Sequence, residues 1–222
     1  MAPSFLANEY AMAFFVAAVL VLVVLLIVRS NYISNLVFFW ICFNFYTVNL
    51  PVSDGADVVL FVLALWNIPV SMRPSVPGFV GELTQRTIFN CFRFLCQLQI
   101  VLIYFISGLD KLKSAAWRSG DAFDYVRHID ALYNPVFPDI LQNSFWDITF
   151  SWLTMGFELL FVLVWFRSMR LPILITGVLF HLGIWFVMSL PDFALVMMVS
   201  YLAFLTDEDY ALVRRKLKRW LP

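Results

Sequence analysis

Charge is scarce in this 222-residue sequence: Asp, Glu, Lys and Arg together make up 14%, against roughly 25% in soluble domains. A chain so poor in charge cannot clothe the solvated surface of an ordinary soluble protein. Fifteen cations balance fifteen anions, which argues against a polyanionic partner and excludes nucleic acid from the expected partners. Histidine is scarcer still. His128 and His181 stand in different regions with no carboxylate placed beside either by spacing, so no metal site is expected. The three cysteines, Cys42, Cys91 and Cys96, all lie in apolar segments without a CxxC pair, and are expected to be inert buried thiols rather than disulfides or zinc ligands. Tandem repeats, low-complexity tracts and domain linkers are absent as well. A cleavable signal is not expected, because the first apolar run begins after Glu9, has no basic region before it and is too long.

What fills the chain is apolar sequence. Hydrophobic residues reach 62%, concentrated in runs of about 20 residues, the length that crosses a bilayer core. The expected fold is an all-α, polytopic transmembrane bundle forming one membrane domain over 1–222. Seven segments are expected, at about Tyr10–Val28, Ile33–Leu50, Asp57–Val70, Thr87–Leu109, Phe145–Phe166, Leu171–Leu190 and Asp192–Leu205. Between the fourth and fifth lies a polar interval. Its stretch 111–145, with Trp117, Phe123 and Tyr125, suits an interfacial helix or hairpin lying along or dipping into the outer leaflet. A basic tail occupies 206–222. Short cytoplasmic loops collect Lys and Arg, and one alternating pattern puts Arg29, Arg73, Arg86, Arg167, Arg170 and the tail cations Arg214, Arg215, Lys216, Lys218 and Arg219 on one side. The expected topology therefore has the N-terminus outside and the C-terminus in the cytoplasm.

The stretch from Asn90 to Tyr125 organises the rest. Asn90, Arg93, Gln97, Tyr104, Ser107 and Lys111 fall on one face of the fourth segment. Such a face turns away from lipid, because a charge near the bilayer centre costs several kcal/mol or more. Glu158 shares a face of the fifth segment with Asp147, Ser151 and Thr154, and His181 lies on the sixth. Arg93, Glu158 and His181 are expected at similar depth, with Arg93 pairing Glu158 and His181 nearby. Lys111 has two readings. At a helix end a lysine commonly snorkels to the headgroups; on the face of Gln97 and Tyr104 it could instead project into a cavity and, desolvated, serve as a general base. Trp117, Arg118, Gly120 and His128 could shape the mouth of such a cavity or simply anchor the segment at the interface.

The runs RFLCQLQIVLIYFISGLDKLKSAAWRSGDAFDY and FELLFVLVWFRSMRLPILITGVLFHLGIWFVMSLPDFALVMMVSYLAFL, with DGADVVLFVLALWNIPVS before them, carry YF-x-x-G-x-x-KL and the FEL and FH motifs. Over about 53–205 the sequence resembles the HTTM domain shared by vitamin K-dependent gamma-carboxylase and its bacterial relatives. Those relatives include a membrane protein that helps mature a sporulation-delaying toxin peptide. The resemblance implies that Lys111 is the base that deprotonates a vitamin K-like quinol. It matches Gln97, Tyr104, Gly108, Trp117, Gly120, Glu158 and His181 to further family positions, with Asp57 a looser match. The expected catalytic set is Lys111, His181 and Glu158, and the expected ligand-binding set is Gln97, Tyr104, Trp117 and Asp57 together with Arg93 from the polar stripe. A bacterial inner-membrane location follows from the same resemblance. Nothing corresponds to the carboxylase's lumenal substrate domain, and family domains usually start with one more span, so a further helix from another chain is an open expectation. The expected function is a membrane-embedded enzyme or peptide-maturation factor with an outward-facing cavity and a quinol-type ligand. The alternative is a non-catalytic subunit of a membrane assembly that docks other membrane subunits or an extracytoplasmic peptide or protein.

Overall fold

The computed structural model describes residues 32–49, 55–71, 79–129, 143–206 and 208–209, together with 13, 17, 18, 20 and 21. Most of the first expected segment, the proline-bearing stretch 130–142 and the tail beyond 209 lie outside the described residues. Among those described, all regular structure is helical: α1 (Tyr32–Asn49), α2 (Gly55–Ser71), α3 (Phe79–Lys113), α4 (Ala115–Ser119), α5 (Asp121–Arg127), α6 (Ser144–Leu160), α7 (Arg167–Met188) and α8 (Pro191–Ser200). Two 3-10 turns, Phe161–Trp165 and Tyr201–Phe204, extend α6 and α8.

Three helices are long and apolar enough to cross a membrane, Gly81–Lys113, Ser144–Trp165 and Arg167–Met188. Tyr32–Asn44, Asp57–Pro69 and Pro191–Phe204 are apolar but shorter. Pro69 sits in the last turn of α2, which limits that helix, and α8 has given way to a 3-10 turn after ten residues. Along the long helices large apolar side chains stay exposed, among them Phe94, Leu153, Phe166 and Leu179, as expected of helices that contact a lipid bilayer.

α3 is the axis. At 35 residues it is about 52 Å long at 1.5 Å per residue, well beyond the roughly 30 Å of a hydrocarbon core. It begins eight residues before the expected Thr87, and that added end carries the exposed Glu82, Gln85 and Arg86. It also runs on past the expected Leu109 to Lys113, so that Lys111 belongs to the helix rather than to a loop. α3 packs on α2, α6 and the short α4, while α4 and α5 pack on α6. Gly120, at φ 91, makes the corner between α4 and α5. A side chain there would run into Ile148 of α6 at 2.8 Å, so glycine is needed both for the left-handed backbone and for the close approach.

The core gathers where α3 meets the 3-10 turn after α6 and the end of α8. Phe161 is 0% exposed. Its ring lies 4.2 Å from that of Tyr104 and 5.7 and 5.8 Å from those of Tyr201 and Phe204. α1 and α2 are joined differently, by a buried hydrogen bond in which Asn67 Nδ2 donates to Asn35 Oδ1 at 2.7 Å. Replacing Asn67 with Ala removes the donor to Asn35 Oδ1 and should cost about 1–2 kcal/mol. Asn35→Leu with Asn67→Leu together should cost less than the two single changes summed, as measured by thermal unfolding in detergent.

Candidate functional site

Tyr104, Ser107 and Lys111 stand one above another near the end of α3, at the i, i+3 and i+7 positions that share a helix face. Between them Gly108 leaves room for α6. A Cβ on it would lie 3.1 Å from Glu158 Cβ and 3.0 Å from Leu159 Cγ, so the missing side chain lets the two backbones close together. α6 answers with its own polar face, in which Asp147, Ser151, Thr154 and Glu158 are all buried.

Glu158 therefore meets Lys111. Lys111 Nζ donates to Glu158 Oε1 at 2.7 Å and Oε2 at 2.9 Å and to Ser107 Oγ at 2.5 Å. It also lies 5.1 Å from the centre of the Trp117 ring on α4, a cation–π contact. The side chains of the pair are 19% and 8% exposed. Glu158 lies about four turns into α6, or about 21 Å along it at 1.5 Å per residue. α4 and α5 cover the earlier turns through Gly120 against Ile148 and Phe123 against Phe150. Lys111 is thus paired across the contact of α3 with α6. Its ammonium turns inward to a carboxylate.

The expected Arg93–Glu158 pair is overturned by the same contacts. Arg93 Nε donates to the Ala203 carbonyl at 2.8 Å and its Nη2 to the Leu205 carbonyl at 2.7 Å, while Gln97 Nε2 donates to Ala203 as well at 2.8 Å. The physical reason is that the chain turns at Tyr201–Phe204 and leaves carbonyls that need donors, and Arg93 and Gln97 are level with them. His181 forms a third group. It shares a hydrogen bond of 2.6 Å with the Tyr104 hydroxyl, which shares another of 2.5 Å with Tyr201. His181 is 1% exposed, and its Nδ1 has no partner among the described residues. What looked like one cluster is three tiers along α3, separated by about 16 and 10 Å at 1.5 Å per residue.

The other sites sort easily. Trp117 joins the Lys111 tier. Arg118 donates to the Leu112 and Lys113 carbonyls and caps α3. His128 is exposed and bonded to the Asp124 carbonyl. Asp57 sits half-buried in the first turn of α2, where a carboxylate suits the helix dipole. Sequence reasoning missed Tyr201, the Asn35–Asn67 bond and a polar knot at the start of α7. Tyr201 was findable, since Ala194, Met197, Tyr201 and Phe204 recur on one face and all are buried. In the knot Arg170 Nη1 donates to Asp209 Oδ2 at 2.9 Å, and Thr206 donates to the same oxygen from its backbone N at 2.9 Å and from Oγ1 at 2.7 Å. Burial pushes the Asp209 carboxyl up, but the Thr206 and Arg170 hydrogen bonds outweigh it and hold the group below its ordinary 3.8.

With this geometry described, the chain can be set beside known proteins. It is similar to the sporulation-delaying protein SdpB of Bacillus subtilis (strain 168), 25% identical over 215 residues. The match covers 90% of this chain and 66% of that protein, so the chain spans just under two thirds of its relative's length. No family model matches the chain, and no solved structure matches it.

Two outcomes follow from the site. Glu158→Leu leaves the Lys111 charge buried and unpaired and should lower stability by about 3–5 kcal/mol, with much of that recovered in Lys111→Met, Glu158→Leu, as read by thermal unfolding. For Asp209, a depressed folded value means that its stabilisation is fully present above the unfolded carboxylate range and is lost as the pH falls through the folded value. The stability gap between the wild type and Asp209→Asn should therefore be flat from about pH 5 upward and shrink in acid, as followed by chemical denaturation across pH.

Proposed function

We propose that this chain is a multi-pass membrane protein of the HTTM type over about 53–205, acting as a membrane-embedded enzyme or peptide-maturation factor in which Lys111 is the base. The observation that carries the reading is the Lys111–Glu158 pair, a titratable amine held by both oxygens of one carboxylate, with Ser107 beneath it and the Trp117 ring beside it. The similarity to a protein named for sporulation delay supports it, as does the match of Lys111, Glu158 and His181 to the carboxylase-like pattern. A vitamin K-like quinol would bring an acidic hydroxyl and a planar ring. The residues suit such a ligand, since Trp117 offers an aromatic face next to the amine.

The chemistry of the pair is a proton exchange. As long as the ammonium keeps its proton it cannot accept another. At 2.7 Å the Nζ proton can pass to Glu158 Oε1, which leaves a free amine beside Trp117. That amine takes the ligand's hydroxyl proton, the O–H bond breaks as an N–H bond forms, and the ammonium that results faces the ligand oxyanion. Tyr104 lies on the same α3 face two turns below and, bonded to His181 of α7, extends the polar line toward Tyr201. In the proposed topology the site opens outward and the basic tail is cytoplasmic, in a bacterial inner membrane.

A second reading keeps the chain as a non-catalytic subunit. It is favoured by the way the donors of Arg93, Gln97 and Lys111 are spent on acceptors within the chain. Purification from native membranes, with mass spectrometry of co-purifying lipids and chains, separates the two. A bound quinone-class lipid supports the enzyme, whereas a stoichiometric partner chain without such a lipid supports the subunit. Lys111→Arg should retain expression and the carboxylate contact yet abolish the maturation activity, because guanidinium does not give up its proton. Activity equal to wild type in Lys111→Arg would remove Lys111 as the base.

A further inference from the structure

The buried face of α6 continues past Glu158 toward the start of the helix. Asp147, Ser151, Thr154 and Glu158 are 5%, 0%, 7% and 6% exposed and follow one another at steps of four, three and four residues. The row begins one turn inside the exposed Asn143 and Ser144 and ends at the carboxylate that holds Lys111. Small hydroxylated residues at a helix contact often serve only close packing. Close packing does not account for a carboxylate at each end of the row, nor for the state of Ser151.

The Ser151 hydroxyl is wholly buried and has no protein partner among the described residues. A serine in a helix has a ready acceptor in the carbonyl four residues back. Thr149, two residues earlier, uses that option and donates to the Phe145 carbonyl at 2.7 Å. Ser151 does not, and its hydroxyl remains available to the row. Neighbours three or four apart on a helix have Cβ atoms about 5–6 Å apart, too far for their short side chains to reach one another directly in every pair and a distance that one water bridges.

We infer that this row is a hydrated proton path from the start of α6 to the Lys111–Glu158 pair. Its ligands are water and the proton itself. It rests on the reading of Lys111 as a base, which must shed the proton it takes at each turnover. Glu158 releases the proton to a water beside Thr154. Each hydroxyl and water along the row accepts one proton and passes one on, and Asp147 delivers it at the mouth. One proton moves, and nothing is oxidised or reduced.

Cysteine accessibility tests the path without using activity. In the full-length protein carrying Cys42→Ala, Cys91→Ser and Cys96→Ser, single Ser151→Cys and Thr154→Cys variants are treated in membranes with 2-aminoethyl methanethiosulfonate. Leu153→Cys, on the exposed apolar side of the same turn, is the lipid-facing reference, and Asn143→Cys is the control for reagent at the helix end. The thiolate, which forms only where water reaches, attacks the reagent's sulfenyl sulfur, forming a mixed disulfide and releasing methanesulfinate. Ser151→Cys or Thr154→Cys, whichever folds, should react at least about tenfold faster than Leu153→Cys. Rates as slow as Leu153→Cys at both positions, with Asn143→Cys reacting, would overturn the path. That result would leave the base reading to stand or fall on Lys111→Arg, whose outcome does not depend on labelling.

Discussion

A polar group inside an apolar bundle needs a partner on another helix, and this one requirement arranges the molecule. α3 carries four such groups on one face, and each finds its partner outside α3. Lys111 takes Glu158 of α6, Tyr104 takes His181 of α7 and Tyr201 after α8, and Arg93 and Gln97 take the carbonyls at Ala203 and Leu205. The hydrophobic effect cannot sort helices in lipid, where tails are as apolar as side chains. Directional bonds along one stripe can. Removing the stripe would leave the long helices with little to choose between neighbours beyond the fit of Phe161 among Tyr104, Tyr201 and Phe204.

Glycine completes the arrangement at two levels. Gly108 admits Glu158 to Lys111, and Gly177 admits Tyr201, whose hydroxyl would lie 2.5 Å from any Cβ placed there. Both are on helices, where glycine costs about 1 kcal/mol relative to alanine. They are tolerated because they allow polar contacts, Lys111 with Glu158 and Tyr201 with Tyr104, to close in an apolar surround. Steric room and hydrogen bonding are thus one feature here rather than two.

Much of this was legible in the sequence. The helical class, the stripe from Arg93 to Lys111 and the matching face on α6 are periodicities, and periodicity survives without coordinates. The pairing across helices was not legible. Depth counted from the loop residues put Arg93 level with Glu158, but α3 begins at Phe79 and runs beyond Leu109, which shifts Lys111 to that level instead. Asn35 and Asn67 were invisible for another reason. A single amide in an apolar run carries no periodic signal, and only the packing of α1 on α2 brings the two together. The packing of the short α4 and α5 on the first turns of α6 was not legible either, since it depends on the tight corner at Gly120.

The three tiers differ in what they leave over, and that difference says where chemistry can reside. At the Arg93 level the donors are matched to backbone carbonyls of the 3-10 turn, and a guanidinium so placed does not exchange its proton. This tier is a strut. At the Tyr104 level two hydroxyls and one imidazole are linked, with His181 Nδ1 still unused among the described residues. At the Lys111 level an amine and a carboxylate can trade a proton over 2.7 Å beside an aromatic face, next to a helix face whose Ser151 is unspent. In the proposed function, proton transfer is assigned to the Lys111 level and not to the Arg93 level. A bundle held together only for stability would have no cause to grade its polar groups in this way, since a buried ion pair is a poor stabiliser beside a well-packed apolar contact of equal volume. On the proposed function, the Lys111 end is the working site and the Arg93 end a structural clamp.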